Sequence, residues 1–273
     1  MNILITGAAG FLGTHLQKLI SGDTVTKLVR KSNGQTNEHV IDLTDERQVY
    51  LALDAGKFSG IDVIINLASI VAKSSTVDDL SLLCMNAQIA KSVAIIARDS
   101  GAKKLVNISS MAVYPFKDGD FTEDSMPDPS VNNDCVYGLS KLNGEILINY
   151  LLRDKSILIS HLRMAMIYGA GMNETRIIPV MEKELKEKDT ITVFGGGQRL
   201  LNLIEVNKAA EVITKFVYED HPGIYNVGNE ILSMEELALR ISNGRPEVIT
   251  RIEAGNRSKF RLNTAKLMAI LEE

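Results

Sequence analysis

Short apolar runs alternate with longer stretches of helical spacing over roughly the first 165 residues. The runs Ile3–Thr6, Val25–Val29, His39–Ile41, Val63–Asn66, Lys104–Ile108 and Ile157–Leu162 predict strands. Phe11–Ser21, Asp45–Ala55, about Asp79–Ser100 and Tyr137–Arg153 repeat their apolar residues at helical intervals and predict helices. Strands that alternate with helices imply βαβ units, and hence a parallel sheet covered by helices on both faces. The strand runs are continuously apolar, as burial on both faces requires. The fold class that follows is α/β, a doubly wound parallel sheet of the Rossmann type.

Past Gly169 the pattern changes. A helix over about Arg176–Lys188 is followed by a Gly195-Gly196-Gly197 turn, a short strand Leu201–Ile204 and a helix Val206–Tyr218. Ser233-Met234-Glu235-Glu236 reads as a capping box opening a helix that Asn243-Gly244 closes, and a last helix covers about Thr264–Glu272. The expected division is a sheet domain, 1–168, and a smaller lobe, 169–273, of which about 201–227 packs back on the first. Residues 115–135 form a long loop after a strand end, with Pro115, Pro127, Pro129 and six acids, including Asp118, Asp120 and Glu123. Such loops in compact domains are functional or disordered, and its charges read as solvated.

Composition narrows the function. The chain has 273 residues, 45% of them hydrophobic and 23% charged, enough for a sizeable core and against disorder. A net charge of −4 without a basic stripe argues against a nucleic-acid partner. No apolar run approaches the roughly 18 to 20 residues that cross a bilayer, and Met1-Asn2-Ile3-Leu4-Ile5 enters a strand pattern without a basic leader. The expectation is a cytoplasmic protein with no membrane segment. Two cysteines and four scattered histidines supply neither a disulfide framework nor metal-ligand spacing, so no metal is expected. Cys84 falls in an apolar helical pattern and reads as core; Cys135 reads as a reactive thiol or a small residue at a site rim.

The chemistry begins at Thr6-Gly7-Ala8-Ala9-Gly10-Phe11-Leu12-Gly13, between the first strand and the first helix. Gly7 permits the tight turn, Gly10 lets backbone approach a pyrophosphate, and Gly13 allows close helix–sheet packing. The helix start at Phe11 and Leu12 then offers free N–H groups to phosphates. This is a dinucleotide site. Where an NAD-preferring site carries an acid at the end of the second strand, this chain has Arg30 and Lys31. Two cations suit a 2′-phosphate, which leans the cofactor towards NADP(H) over NAD(H); a solvated charge pair is the alternative.

Tyr137 and Lys141 stand four residues apart on one helix face. A nearby ammonium favours tyrosinate, so Lys141 is expected to lower the Tyr137 pKa and make it a general acid/base. Ser109-Ser110 close the fifth strand, where a hydroxyl can hold a reacting carbonyl or alkoxide. Asn86 sits inside a helix, where it serves either the site or local polar pairing, and Arg163 ends a strand and pairs with an acid.

In this ordered set the chain resembles the extended short-chain dehydrogenase/reductases, in the NAD(P)-dependent nucleotide-sugar epimerase/dehydratase group. The resemblance covers nearly the whole chain. It runs through Gly7…Gly10…Gly13, Asp42-Leu43, Asn66-Leu67-Ala68, Asn86, Ser109-Ser110…Tyr114, Tyr137…Lys141, Arg163…Tyr168-Gly169, Tyr225-Asn226-Val227-Gly228 and Leu262-Asn263-Thr264-Ala265-Lys266. It implies that Asp42 and Leu43 border an adenine and that Leu67, Ala68 and Ser69 line phosphates and ribose. It further implies that Ile108, Met164 and Ile167 lie near the nicotinamide, that Ser110 is the catalytic hydroxyl, and that Lys141 also holds the ribose. The substrate so implied is a small sugar-like molecule or nucleotide sugar, met by the lobe over 169–273.

The departures matter as much. Met111-Ala112 replace the Asp-Glu pair of the 4,6-dehydratases, so dehydration is disfavoured. Leu201 fills the slot where nucleotide-sugar relatives carry an Arg, with Arg199 two residues earlier, and Lys208 replaces a customary Asp. The helices 79–100 and 137–153 carry apolar residues beyond one core stripe, among them Leu142, Ile146, Ile148 and Leu152. The resemblance implies a homodimer built on them. The expected activity is hydride transfer at a hydroxyl or carbonyl, as oxidoreductase or epimerase. A non-catalytic NAD(P)-binding sensor or assembly protein is the alternative, and the retained Tyr…Lys pair with Ser110 argues against it.

Overall fold

The computed structural model describes residues 1–71 and 77–272. The first half of the chain contains β1 (Asn2–Thr6), α1 (Phe11–Leu16), β2 (Thr24–Val29), β3 (Glu38–Val40), α2 (Glu46–Asp54), β4 (Val63–Asn66), α3 (Ser81–Ser100), β5 (Lys104–Ser110), β6 (Gly119–Phe121) and α4 (Cys135–Leu152). The second contains β7 (Leu158–Met164), β8 (Met166–Tyr168), α5 (Ile177–Lys188), β9 (Ile191–Phe194), β10 (Leu200–Glu205), α6 (Val206–Tyr218), β11 (Gly223–Val227), β12 (Glu230–Ser233), α7 (Met234–Ile241), β13 (Ile249–Ile252), β14 (Phe260–Leu262) and α8 (Ala265–Leu271).

Seven strands form one parallel sheet in the order β3-β2-β1-β4-β5-β7-β11. The order in which strands are added reverses between β1 and β4, and their carboxyl ends open the crevice where such sheets take ligands. Its two faces are covered by separate apolar clusters, one under α1 and α6 and the other under α2, α3 and α4. A third cluster fills the lobe made by β8, β10 and β12 together with β9, β13, α5 and α7. The capping box at the start of α7 is formed, with Ser233 and Glu236 each bonded to the other's backbone.

Several expectations are corrected. α1 ends at Leu16 and not Ser21: the N–H groups of Lys18 and Leu19 turn back only three residues, and Gly22 follows at φ 83°. The acids of the 115–135 loop are not merely solvated. Asp118 accepts from the Lys259 N–H, Asp120 from Asn263, and Glu123 from the Asn226 N–H. These bonds, with the parallel pairing of β6 and β14, fasten the loop to the end of the chain. Cys84 is exposed rather than core. Helix α3 turns Leu82, Asn86, Ile89 and Val93 inward, and Cys84 points the other way.

A polar ladder crosses the buried sheet. Thr6, Asn66, Asn107 and His161 are register neighbours on β1, β4, β5 and β7. Thr6 donates to Asn66 Oδ1 (2.7 Å), Asn66 Nδ2 to Asn107 Oδ1 (2.8 Å), and Asn107 Nδ2 to His161 Nδ1 (3.0 Å). His161 Nε2 then donates to Asn149 (3.1 Å). This chain requires neutral imidazole with its proton on Nε2, because a second proton would set donor against donor at Asn107. Burial accordingly holds the His161 pKa down at about 4. The unfolded chain, with an ordinary histidine, takes up this proton first as pH falls. Stability present above about pH 6.5 is therefore lost on the way down to pH 4, by about 3 kcal/mol from this group. Urea midpoints at pH 7 and pH 4.5 should show a steeper acid loss in the wild type than in His161→Asn. Equal pH slopes would refute this assignment.

Candidate active site

The carboxyl ends of β1, β4, β5 and β7 carry most of the singled-out residues to one edge of the sheet. At the end of β1, Gly7 adopts φ +67°, and a Cβ there would lie 2.9 Å from the Ala68 nitrogen. A Cβ at Gly13 would lie 2.6 Å from the Ala8 carbonyl oxygen, so α1 can approach the turn only with glycine at that position. At Gly10 a Cβ would meet only the Gly7 carbonyl, at 3.1 Å, which leaves the outer side of the turn open. Phe11 and Leu12 open α1 against the core. This turn fits a dinucleotide's phosphates by the space that its glycines leave.

Beside it, Thr6 Oγ1 accepts from the Ala68 N–H, which binds the loop Leu67-Ala68-Ser69 to β1. Asn86 pairs with both backbone groups of Ile70 and donates to Ser140 Oγ (3.0 Å). Its amide is thus used in tying the loop after β4 to α3 and α4. A cavity of about 280 Å³ lies there, and its walls include Ala68, Ser69, Asn86, Ile108 and Lys141. Arg30 and Lys31 lie exposed just beyond β2. Asp42 is turned to its own loop, accepting from the Thr44 N–H and hydroxyl, and the Leu43 side chain lies in the core. Met164 is buried at the end of β7, while Ile167 is half-buried on β8.

Ser110 ends β5, and its hydroxyl accepts from the Ala112 N–H (3.1 Å), capping a single 3-10 turn. The first turn of α4 packs directly on that turn: a Cβ at Gly138 would overlap the Ala112 carbonyl. Gly138 thereby seats Tyr137 against the end of β5, a role that sequence reading missed although the residue directly follows the tyrosine. Lys141, one turn on, donates to the Ile108 carbonyl (2.8 Å), with its ammonium 5.8 Å from the centre of the Tyr137 ring.

Burial dominates the titration of this pair. The Tyr137 phenol is pushed up to about 12, first by desolvation and then by the Asp134 carboxylate, against Arg176 and the Ser110 and Ser69 hydroxyls. The Lys141 ammonium is pushed down to about 8 by desolvation, against Glu145. The expected lowering of the tyrosine by its lysine is thus overturned: loss of hydration disfavours both charged forms. Asp134 and Arg176 are charges at this mouth to which sequence reading gave no site role, and Arg199, which it noted only beside the family's Arg slot, joins them. They come from the start of α4, the start of α5 and the approach to β10, which only folding joins.

Arg163 pairs with an acid, as its sequence position suggested. Glu145 on α4 receives two bonds from its guanidinium (2.8 and 3.0 Å) and one from Ser109. Arg163 also donates to Tyr114, whose hydroxyl donates to Asn226.

The chain is similar to known proteins. Residues 3–228 match the model of the NAD dependent epimerase/dehydratase family. A UDP-glucose 4-epimerase of Mycolicibacterium smegmatis is 28% identical over 90% of this chain and 84% of its own length. Two solved structures share the fold. MoeE5 in complex with UDP-glucuronic acid and NAD has a TM-score of 0.83 at 22% identity, over 100% of this chain and 93% of that one. The UDP-glucose 4-epimerase of Thermus thermophilus with NAD has a TM-score of 0.80 at 20% identity, over 100% and 94%. With a glycine turn at β1 and a family match over most of its length, the chain belongs to the NAD dependent epimerase/dehydratase family, enzymes of the extended short-chain dehydrogenase type.

Proposed function

We propose that the protein transfers hydride at a hydroxyl or carbonyl carbon of a sugar-like substrate, a nucleotide sugar, with Tyr137 as general acid/base. The observation that carries this reading is the convergence of Ser110, Tyr137 and Lys141 on the edge that also holds the Gly7–Gly13 turn. A bound nicotinamide supplies or accepts the hydride. Ser110 steadies the reacting oxygen. Tyr137, protonated at neutral pH, delivers its proton to a carbonyl oxygen and takes one back in the reverse step, with the Lys141 ammonium 5.8 Å from its ring centre. Met111 and Ala112 carry no group able to protonate a departing hydroxyl, which favours oxidation, reduction or epimerisation over dehydration.

The cofactor reading follows the chain's own residues. Gly7, Gly10, Gly13, Phe11 and Leu12 would hold the phosphates, with Leu67, Ala68 and Ser69 opposite them. Arg30 and Lys31 stand where a 2′-phosphate would lie, so NADPH is the proposed preference within a family described as NAD dependent. Fluorescence titration of the purified protein with NADPH and NADH tests this. NADPH should bind about tenfold tighter or better. Equal binding would remove the two cations from the site, and binding of neither, with no nucleotide carried through purification, would end the whole reading. Of the apolar residues singled out on these helices, Ile148 and Leu152 are buried in the core, whereas Ile146, with Leu80, Leu139 and Tyr150, leaves apolar surface exposed on and beside α3 and α4. We propose this face as a homodimer contact.

A further inference from the structure

A cleft of about 370 Å³ separates the end of β5 from the second lobe. Met111, next in sequence to Ser110, lines it together with Phe116, Met166, Leu200 and Phe260. These side chains offer nothing to a charged or hydroxyl-rich ligand. Asn202 and Ser258 add polar groups to the lining, and Arg199 is the sole charged group among the described residues that line the cleft. It is half-buried and, among the described residues, its guanidinium has no hydrogen-bond or ion-pair partner. A guanidinium without a hydrogen-bond acceptor in a mostly apolar wall keeps its donor fork free to meet a ligand. Desolvation disfavours its charge. Asp134 is the carboxylate that Arg199 senses, and Arg176 acts on both Asp134 and Tyr137, so two cations face one acid at this mouth.

We infer that Arg199 is a specificity-determining residue that takes a carboxylate on the reacting end of the substrate, as in a uronate sugar. Its planar guanidinium suits bidentate recognition of a carboxylate. Its cleft adjoins the residue after Ser110, so the group it holds lies near the carbon that reacts. This rests on the proposed reading of Ser110 and Tyr137 as the reacting centre and of a nucleotide sugar as substrate.

The test is calorimetric titration of the full chain, saturated with NAD(H), using UDP-glucuronic acid and UDP-glucose. These ligands differ by a carboxylate against a hydroxymethyl group at one carbon. The wild type should bind the uronate about tenfold or more tighter. Arg199→Gln should erase that preference and leave UDP-glucose and cofactor affinities within about threefold, and Arg199→Lys should restore it only in part. An equal loss for both sugars would put Arg199 on the diphosphate and overturn the inference. So would absence of preference in the wild type, or its persistence in Arg199→Gln. If neither UDP sugar binds, the nucleotide-sugar reading fails by itself. The carboxylate site is then decided by saturation-transfer NMR with free D-glucuronate against D-glucose. A signal for glucuronate alone that Arg199→Gln removes supports it; its absence overturns it.

Discussion

Replacing Tyr137 with Phe is expected to lower kcat by about a thousandfold while leaving the cofactor dissociation constant within about threefold. The substitution removes one hydroxyl and keeps the ring that fills the space above Lys141. Tyr137 bonds through its backbone carbonyl to Ser140, and that contact survives. What is lost is the proton that burial holds on the phenol at neutral pH. Stopped-flow turnover and fluorescence titration on the same preparation separate the two effects. A variant that turns over at more than about a tenth of the wild-type rate would refute Tyr137 as the acid/base and revive the non-catalytic alternative. A variant that loses cofactor binding together with turnover would show instead that the site had collapsed.

The second large effect is on stability. Arg163 and Glu145 form a bidentate pair with side chains only 3% and 4% exposed. Removing one partner leaves the other charged and dry, so Glu145→Leu or Arg163→Met should each cost about 3 to 5 kcal/mol in urea denaturation. The double variant should recover part of that loss, because no charge remains unpaired. Additive losses, or a single-variant cost below about 1 kcal/mol, would contradict the account. The pair also joins the strand that carries Ser109 and Ser110 to the helix that carries Tyr137 and Lys141. Its loss should therefore lower activity in protein that is still folded.

Much of this site was legible before folding. The glycine turn, the Tyr137…Lys141 spacing and the strand end at Ser110 are local patterns, each spanning a turn of helix or one βα junction. Local steric and hydrogen-bonding rules are sufficient to read them. The short strands β6, β8, β9 and β11 to β14 were not read from the sequence, because each forms by pairing with a segment distant along the chain. β11 joins the main sheet only because β7 offers it an edge, and β6 exists because β14 returns from the far end of the chain.

The amino-acid sequence by itself determined the class of fold, the place of the glycine turn after β1 and the spacing of Tyr137 and Lys141 on one helix face, because these depend on neighbours within a few residues. Only the tertiary structure decided the electrostatics. Asp134 and Arg176 act on Tyr137 and Arg199 acts on Asp134 from three separate segments, and burial raises the phenol that was expected to be lowered. Charge interactions and desolvation act through space and depend on what surrounds each group. That environment exists only once the lobe has closed over the end of the sheet.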